Sequence, residues 1–155
     1  MVFDTIIKGA RVVTSAGVTS CDIGLCDGKI ASLATELSEA NEIIDARGAA
    51  RFTGEAAEPR PGMRAGHIPG SRNVPFGEVL NPDQTMKDEA GIRAAMKAAG
   101  VDLTKPAITT CGSGVTAAIL CLALERIGKT DHALYDGSWS EWGMYDDLPI
   151  ATGAA

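Results

Sequence analysis

The opening of the chain is written in short β-branched runs separated by glycine. Residues 4–14, DTIIKGARVVT, are rich in Ile, Val and Thr, are broken by Gly9, and are followed by a turn at Ser15-Ala16-Gly17. Residues 20–26, SCDIGLC, partly alternate, which places Cys21, Ile23 and Leu25 on one side. Asp27-Gly28 lies between that run and Lys29-Ile30-Ala31-Ser32-Leu33. Such a pair accepts the positive φ of a tight two-residue turn, so it signals a hairpin. Residues 1–33 therefore predict a small antiparallel sheet, and the polar stretch 34–41, ATELSEAN, reads as a linker.

From residue 42 onward, apolar strands alternate with helical periods. Glu42-Ile43-Ile44-Asp45-Ala46-Arg47 is a short apolar strand that ends in charge, residues 53–72 form a long Gly/Pro/Arg/Glu-rich loop, and Arg72–Phe76 reads as a short strand. Residues 88–99 predict a helix with Asp88 as N-cap, Gly100 as stop, and Ile92, Ala95, Met96 and Ala99 on one face. Pro106 precedes the strand Ala107-Ile108-Thr109-Thr110, which runs directly into Cys111. Residues 115–127, VTAAILCLALERI, predict a helix ended by Gly128 and apolar nearly all round, hence well buried; His132–Tyr135 is a further strand. Strands alternating with helices predict a parallel α/β sheet. The division is thus a small β appendage at 1–41 and an α/β domain at 42–155.

Composition narrows the function classes. The chain has 155 residues and a net charge of −6, which argues against a dedicated nucleic-acid binder while leaving room for a local arginine cluster around a small anion. No apolar run reaches the roughly 18–20 residues of a membrane helix, and the N-terminus carries no basic flank leading into a long apolar stretch. The expectation is a cytoplasmic protein with no membrane partner and four reduced thiols, Cys21, Cys26, Cys111 and Cys121. Their spacing is not that of a zinc knuckle, and only His67 and His132 add imidazole, so no metal is expected.

The chemistry-bearing stretch is Thr109-Thr110-Cys111-Gly112-Ser113-Gly114-Val115-Thr116-Ala117. A cysteine that leaves a strand, enters a glycine loop and faces a helix N-terminus meets inward-pointing backbone N–H groups and the positive end of a dipole. Both favour a thiolate, and the same cradle suits a persulfide or an oxyanion. A cysteine-dependent phosphatase would need an arginine five residues beyond the loop's first glycine, and that position is Ala117. Cys121, inside the apolar helix, is read as core; Cys21 and Cys26 receive no role.

At this loop the sequence resembles a known family. Cys-Gly-Ser-Gly-Val-Thr-Ala resembles the active-site loop of the mercaptopyruvate sulfurtransferases within the rhodanese superfamily, whose thiosulfate-using members usually carry basic residues there. Ile44–Arg47, Arg51-Phe52, Glu58-Pro59-Arg60, Gly66–Pro75 and Tyr135–Trp142 resemble further segments of the catalytic domain, in order. The resemblance implies a rhodanese-like parallel sheet flanked by helices. It implies Cys111 as nucleophile, Ser113 as hydrogen-bond donor to the substrate or its thiol, and Arg51 and Arg60 on the carboxylate and carbonyl end of the donor. Gly112, Gly114, Val115 and Thr116 complete the substrate-binding loop. It further implies a small-molecule sulfur donor, a thiol, cyanide or thioredoxin-like acceptor, and no cofactor. His67 is read as structural, and Trp139 and Trp142 as packing.

Residues 3–33 resemble instead the N-terminal strands of hydantoinases and dihydropyrimidinases, through Asp4–Gly9 and Asp27–Ala31. The His-x-His metal motif of those hydrolases is absent and their barrel does not fit this length. The chain thus resembles a fusion of two families joined near Ile44-Asp45-Ala46. The two-domain sulfurtransferases place an inactive domain before the catalytic one, and a homodimer is one arrangement that would restore the cleft wall it supplies. Three other readings stand beside the main one: a thiosulfate-preferring rhodanese, a weak sulfur-carrier or interaction module, and a vestigial hydantoinase-derived binding piece.

Overall fold

The computed structural model describes residues 5–14, 17–26, 28–34 and 42–154, and the chain divides into two units, Met1–Asn41 and Glu42–Ala155. The first is a three-stranded antiparallel sheet of β1 (Thr5–Thr14), β2 (Gly17–Cys26) and β3 (Lys29–Ala34), in that order. Cys26 pairs with Lys29, which leaves a two-residue connection, and Gly28 has φ +69° as a tight turn requires. Asp27 lies outside the described residues, as do Ser15, Ala16 and most of the expected linker. The β1–β2 register shifts between Ile7 and Ala10. Gly9 supplies the positive φ there, its N–H donates to Asp22 Oδ1 at 2.9 Å, and Lys8 pairs with Asp22 Oδ2 at 2.8 Å. The alternation expected of Cys21, Ile23 and Leu25 is therefore blurred, because Asp22 is buried by its tie to the bulge.

The second unit is built on a four-stranded parallel sheet in the order β5-β4-β6-β7, with β4 at Glu42–Asp45, β5 at Arg72–Asn73, β6 at Ala107–Thr110 and β7 at His132–Leu134. The helices are α1 (Ala49–Phe52, a single turn), α2 (Glu89–Ala98), α3 (Ala117–Arg126) and α4 (Ser138–Trp142). The Asp88 side chain accepts from Gly91 N–H and caps α2, as the sequence predicts, and Ile92 and Met96 are its buried residues. The strand expected over Arg72–Phe76 stops at Asn73, because Pro75 opens a 3-10 turn over Phe76–Val79.

The core gathers Ile44, Val74, Val79, Ile92, Met96, Leu120 and Leu124, all fully buried. Each such aliphatic side chain contributes about 1.5–3 kcal/mol of burial. Two expectations are corrected here. α3 begins at Ala117, not Val115, and it is not buried all round: Ala117, Leu120, Ala123 and Leu124 face the core while Leu122 is 61% exposed. Cys121 is half-buried rather than core, with its sulfur 3.1 Å from Thr109 Oγ1. The opposite side of the sheet carries an apolar groove lined by Ile43, Ile68, Ile108, Ala133, Leu134 and Trp142. Among the described residues no helix is long and apolar enough to cross a membrane.

Parallel pairing aligns Asp45 with Thr110, so β4 and β6 end side by side. Their carboxyl ends feed the Arg47–Arg60 and Cys111–Thr116 segments, the usual place for a site in an open parallel sheet.

Candidate active site

β4 terminates in Asp45, and the chain doubles back so that Arg47 lies beside it. Arg47 donates to Asp45 through Nε (3.2 and 3.1 Å) and Nη2 (2.7 Å), to Glu58 Oε1 through Nη1 at 2.7 Å, and to the Gly66 carbonyl at 2.8 Å. Its guanidinium also lies 4.4 Å from the centre of the Trp139 ring. Every nitrogen of this buried cation is thus met, as a charge out of water requires. Glu58 in turn grips Arg51 of α1 through both carboxylate oxygens, with Nη2 on Oε2 and Nε 3.3 Å from Oε1. Asp45, Arg47, Glu58 and Arg51 form one charge-balanced chain that ends at the site.

The cavity at the strand ends has a volume of about 190 Å³ and is lined by Arg51, Pro59, Arg60, Met63 and the loop residues Cys111, Gly112, Ser113, Val115 and Thr116. Cys111 is 1% exposed at the cavity floor. Burial pushes its thiol pKa up, but hydrogen bonds from the Thr116 hydroxyl and from the backbone N–H groups of Ser113, Ala117 and Thr116 outweigh this and leave it lowered. The Ser113 N–H lies 3.4 Å from the sulfur. The donor set combines the loop with the first turn of α3, which is the arrangement the glycine-rich stretch predicts.

Most of the expected site residues converge on this cavity. Arg51 and Arg60 enter from one side and Gly112, Ser113, Val115 and Thr116 from the other, with Val115 73% exposed at the rim. Gly114 does not line the cavity. It is buried beneath the loop at φ +81°, its N–H donates to Ser138 Oγ at 3.1 Å, and a Cβ there would stand 2.9 Å from Asp136 Oδ1. At Gly112 a Cβ would lie 2.9 Å from Arg51 Nη2, so a side chain there would displace the guanidinium. His67 is buried, stacked on Phe52 at 3.8 Å, with Nδ1 2.9 Å from the Phe52 carbonyl. Trp139 is 1% exposed and donates to the Arg64 carbonyl at 2.9 Å, while Trp142 donates to the Pro149 carbonyl at 2.8 Å. Among the described residues no group of His, Cys, Asp and Glu side chains is arranged to hold a metal.

Two residues to which the sequence assigns no role take part. Ser140 receives a 2.8 Å hydrogen bond from Arg60 Nη1, and its hydroxyl and N–H both donate to the Gly112 carbonyl, the latter at 2.9 Å. Ser138 accepts from Cys111 N–H and Gly114 N–H, each at 3.1 Å, and donates to the Tyr135 carbonyl at 2.8 Å. Both stand in the Tyr135–Trp142 segment. A small polar residue on either side of a tryptophan is the only local signal, and it does not say which loop the hydroxyls would meet.

This architecture has counterparts among known proteins. Residues 30–145 match the family model of the rhodanese-like domain. Over 109 residues the chain is 50% identical to the 3-mercaptopyruvate sulfurtransferase of Escherichia coli (strain K12), covering 70% of this chain and 38% of that protein. It is 48% identical over 107 residues to the thiosulfate/3-mercaptopyruvate sulfurtransferase 1, mitochondrial, of Arabidopsis thaliana, covering 69% of this chain and 28% of that one. The crystal structure of the Tum1 protein from Saccharomyces cerevisiae superposes with a TM-score of 0.67 at 37% identity, over 74% of this chain and 41% of that one. The chain spans about a third of the length of the curated relatives it matches. From the match across most of the second unit and from the loop geometry, the chain belongs to the rhodanese-like domain family.

Proposed function

We propose that the chain is a sulfurtransferase that moves sulfane sulfur from 3-mercaptopyruvate to a thiol or cyanide acceptor through a persulfide on Cys111. The observation that carries this reading is a buried thiol with a lowered pKa, ringed by amide donors, at the floor of a cavity whose wall holds two arginines. The names of relatives at 48–50% identity support the same chemistry.

The reaction divides into two half-steps. The Cys111 thiolate attacks the thiol sulfur of the donor, and an S–S bond forms as the donor's C–S bond breaks. The bonding pair of that C–S bond leaves with the carbon as pyruvate enolate, which takes up a proton to give pyruvate. Arg51 and Arg60 offer planar forks to the donor's carboxylate and carbonyl. Ser113 stands on the loop where its hydroxyl can donate to the donor's thiol or carbonyl. The amides of Ser113, Thr116 and Ala117 hold the anionic sulfur. In the second half-step an acceptor thiolate or cyanide attacks the outer sulfur, the S–S bond breaks, and the Cys111 thiolate is restored. A thioredoxin-like acceptor fits this step, and a homodimer would enclose the open side of the cavity.

A second reading takes thiosulfate as donor, since the name of the Arabidopsis relative joins both donors. The uncharged Gly112-Ser113-Gly114 run favours the mercaptopyruvate reading, because a dianion would gain from added positive charge there. Sulfur transfer to cyanide from each donor, in the chain and in Cys111→Ser, is the deciding measurement. Cysteine-dependent turnover that favours mercaptopyruvate supports the proposal. A folded chain with no turnover on either donor refutes it and leaves a sulfur-carrier module.

A further inference from the structure

Ser138 is fully buried and is one of two non-glycine residues among those described with positive φ, at +50°. A non-glycine residue in that region is held there against its preference, so the surrounding contacts fix it. Its hydroxyl is saturated. A serine Oγ has two lone pairs and one hydrogen, and here it accepts from Cys111 N–H and Gly114 N–H and donates to the Tyr135 carbonyl. The next two residues take up the loop's carbonyls: Trp139 N–H donates to Cys111 O and Ser140 N–H to Gly112 O, both at 2.9 Å. Three consecutive residues thereby take up two N–H groups and two carbonyls of the loop. The Ser113 N–H lies 3.4 Å from the sulfur, and the N–H groups of Thr116 and Ala117 also act to lower its pKa.

We infer that Ser138 is a positioning residue for Cys111: by pinning the Cys111 and Gly114 amides beneath the loop, its hydroxyl keeps the other amides turned toward the sulfur and so sets the nucleophile's reactivity. Its effect on turnover rests on the sulfurtransferase reading, whereas its effect on thiol reactivity does not. The charged and titratable groups around the site are Arg51 with its Glu58 partner, Arg60, Asp136 beside Gly114, and Tyr135 and Glu141 in the segment of Ser138 itself, and none of their side chains is bonded to the Ser138 hydroxyl.

The test uses the full chain with Ser138→Gly and Ser138→Ala. Glycine removes the hydroxyl and suits a positive φ; alanine removes the hydroxyl and retains the Cβ. Iodoacetamide alkylation of Cys111, followed by peptide mass mapping from neutral to alkaline pH, reads the thiol directly. The midpoint should rise by about one pH unit in both variants, equivalent to about tenfold less thiolate at neutral pH. In turnover, kcat should fall while KM for the donor holds. A folded Ser138→Gly protein with the parent's alkylation profile overturns the inference. Should neither variant fold, amide exchange on the parent chain decides: slow exchange at Cys111 and Gly114 supports the pin, and exchange at the rate of free peptide overturns it. A chain that transfers no sulfur yet shows the shifted profile in Ser138→Gly would refute the enzyme reading and leave the pin standing.

Discussion

Arg47 and Glu58 meet in a 2.7 Å ion pair in which each side chain is 1% exposed. The other oxygen of the same carboxylate holds Arg51 at the cavity wall, so one acid serves both the interior and the site. Glu58→Ala strands part of a buried cation and releases Arg51. Breaking a buried pair from one side costs about 3–5 kcal/mol. Denaturant unfolding should show a loss of that order, and KM for the sulfur donor should rise. Glu58→Gln, which keeps the shape and one acceptor oxygen, should lose less of both.

Thr116 tests the thiolate cradle. Its hydroxyl is the foremost of the groups that lower the Cys111 pKa against the burial that raises it. Thr116→Val keeps the volume and removes that donor. Alkylation at neutral pH should slow by roughly three- to tenfold, because each tenfold loss of thiolate corresponds to a pKa higher by one. The sign for stability follows: with a depressed folded pKa, the thiolate stabilises the fold above the ordinary thiol range, and this is lost as pH falls through the folded value. Thr116→Val should therefore narrow the difference in unfolding free energy between alkaline and neutral pH.

Gly112 and Gly114 should fail in different ways when replaced by alanine. The new methyl at 112 meets the Arg51 guanidinium, which is paired with Glu58. Gly112→Ala should fold normally and bind the donor poorly, a KM effect. At 114 the methyl meets Asp136 and the backbone has φ +81°. Gly114→Ala should lower Tm and kcat together, because the strain falls on the loop itself. Thermal melts beside steady-state kinetics separate the two patterns.

Tyr135 supplies an alkaline prediction. Burial, the hydrogen bond to Glu141 and the Glu141 charge raise its pKa to about 12. The folded chain keeps a proton that the unfolded chain gives up near pH 10. The stability contributed by the protonated phenol is complete below about pH 10 and disappears as the pH climbs toward about 12. Absorbance of ionised tyrosine during an alkaline titration, in the chain and in Glu141→Gln, checks this: the variant should ionise Tyr135 earlier.

Much of the second unit is legible in the residues. β4, α2 with its Asp88 cap and β6 running into Cys111 follow from local patterns: an apolar run, a capping carboxylate, a strand ending in a glycine loop; Arg51 and Arg60, which line the cavity, are reached only through the resemblance of their segments to a known family. What escapes is whatever depends on a partner distant in the chain. The burial of Asp22 follows from a bulge at Gly9, thirteen residues away. The exposure of Leu122 depends on which face of α3 the sheet covers, which a nearly uniform apolar helix does not encode. Ser138 and Ser140 meet a loop more than twenty residues upstream, and no spacing rule connects a serine to a particular amide across that distance.

The reach of that late clamp bears on synthesis. A ribosome-bound chain extended only to Leu134 already contains every strand of the sheet and the cysteine at the end of β6. It lacks Ser138, Trp139 and Ser140, and with them the contacts that orient the loop. On the inference drawn for Ser138, the thiol of a chain ending at Leu134 would alkylate more slowly than that of the full chain.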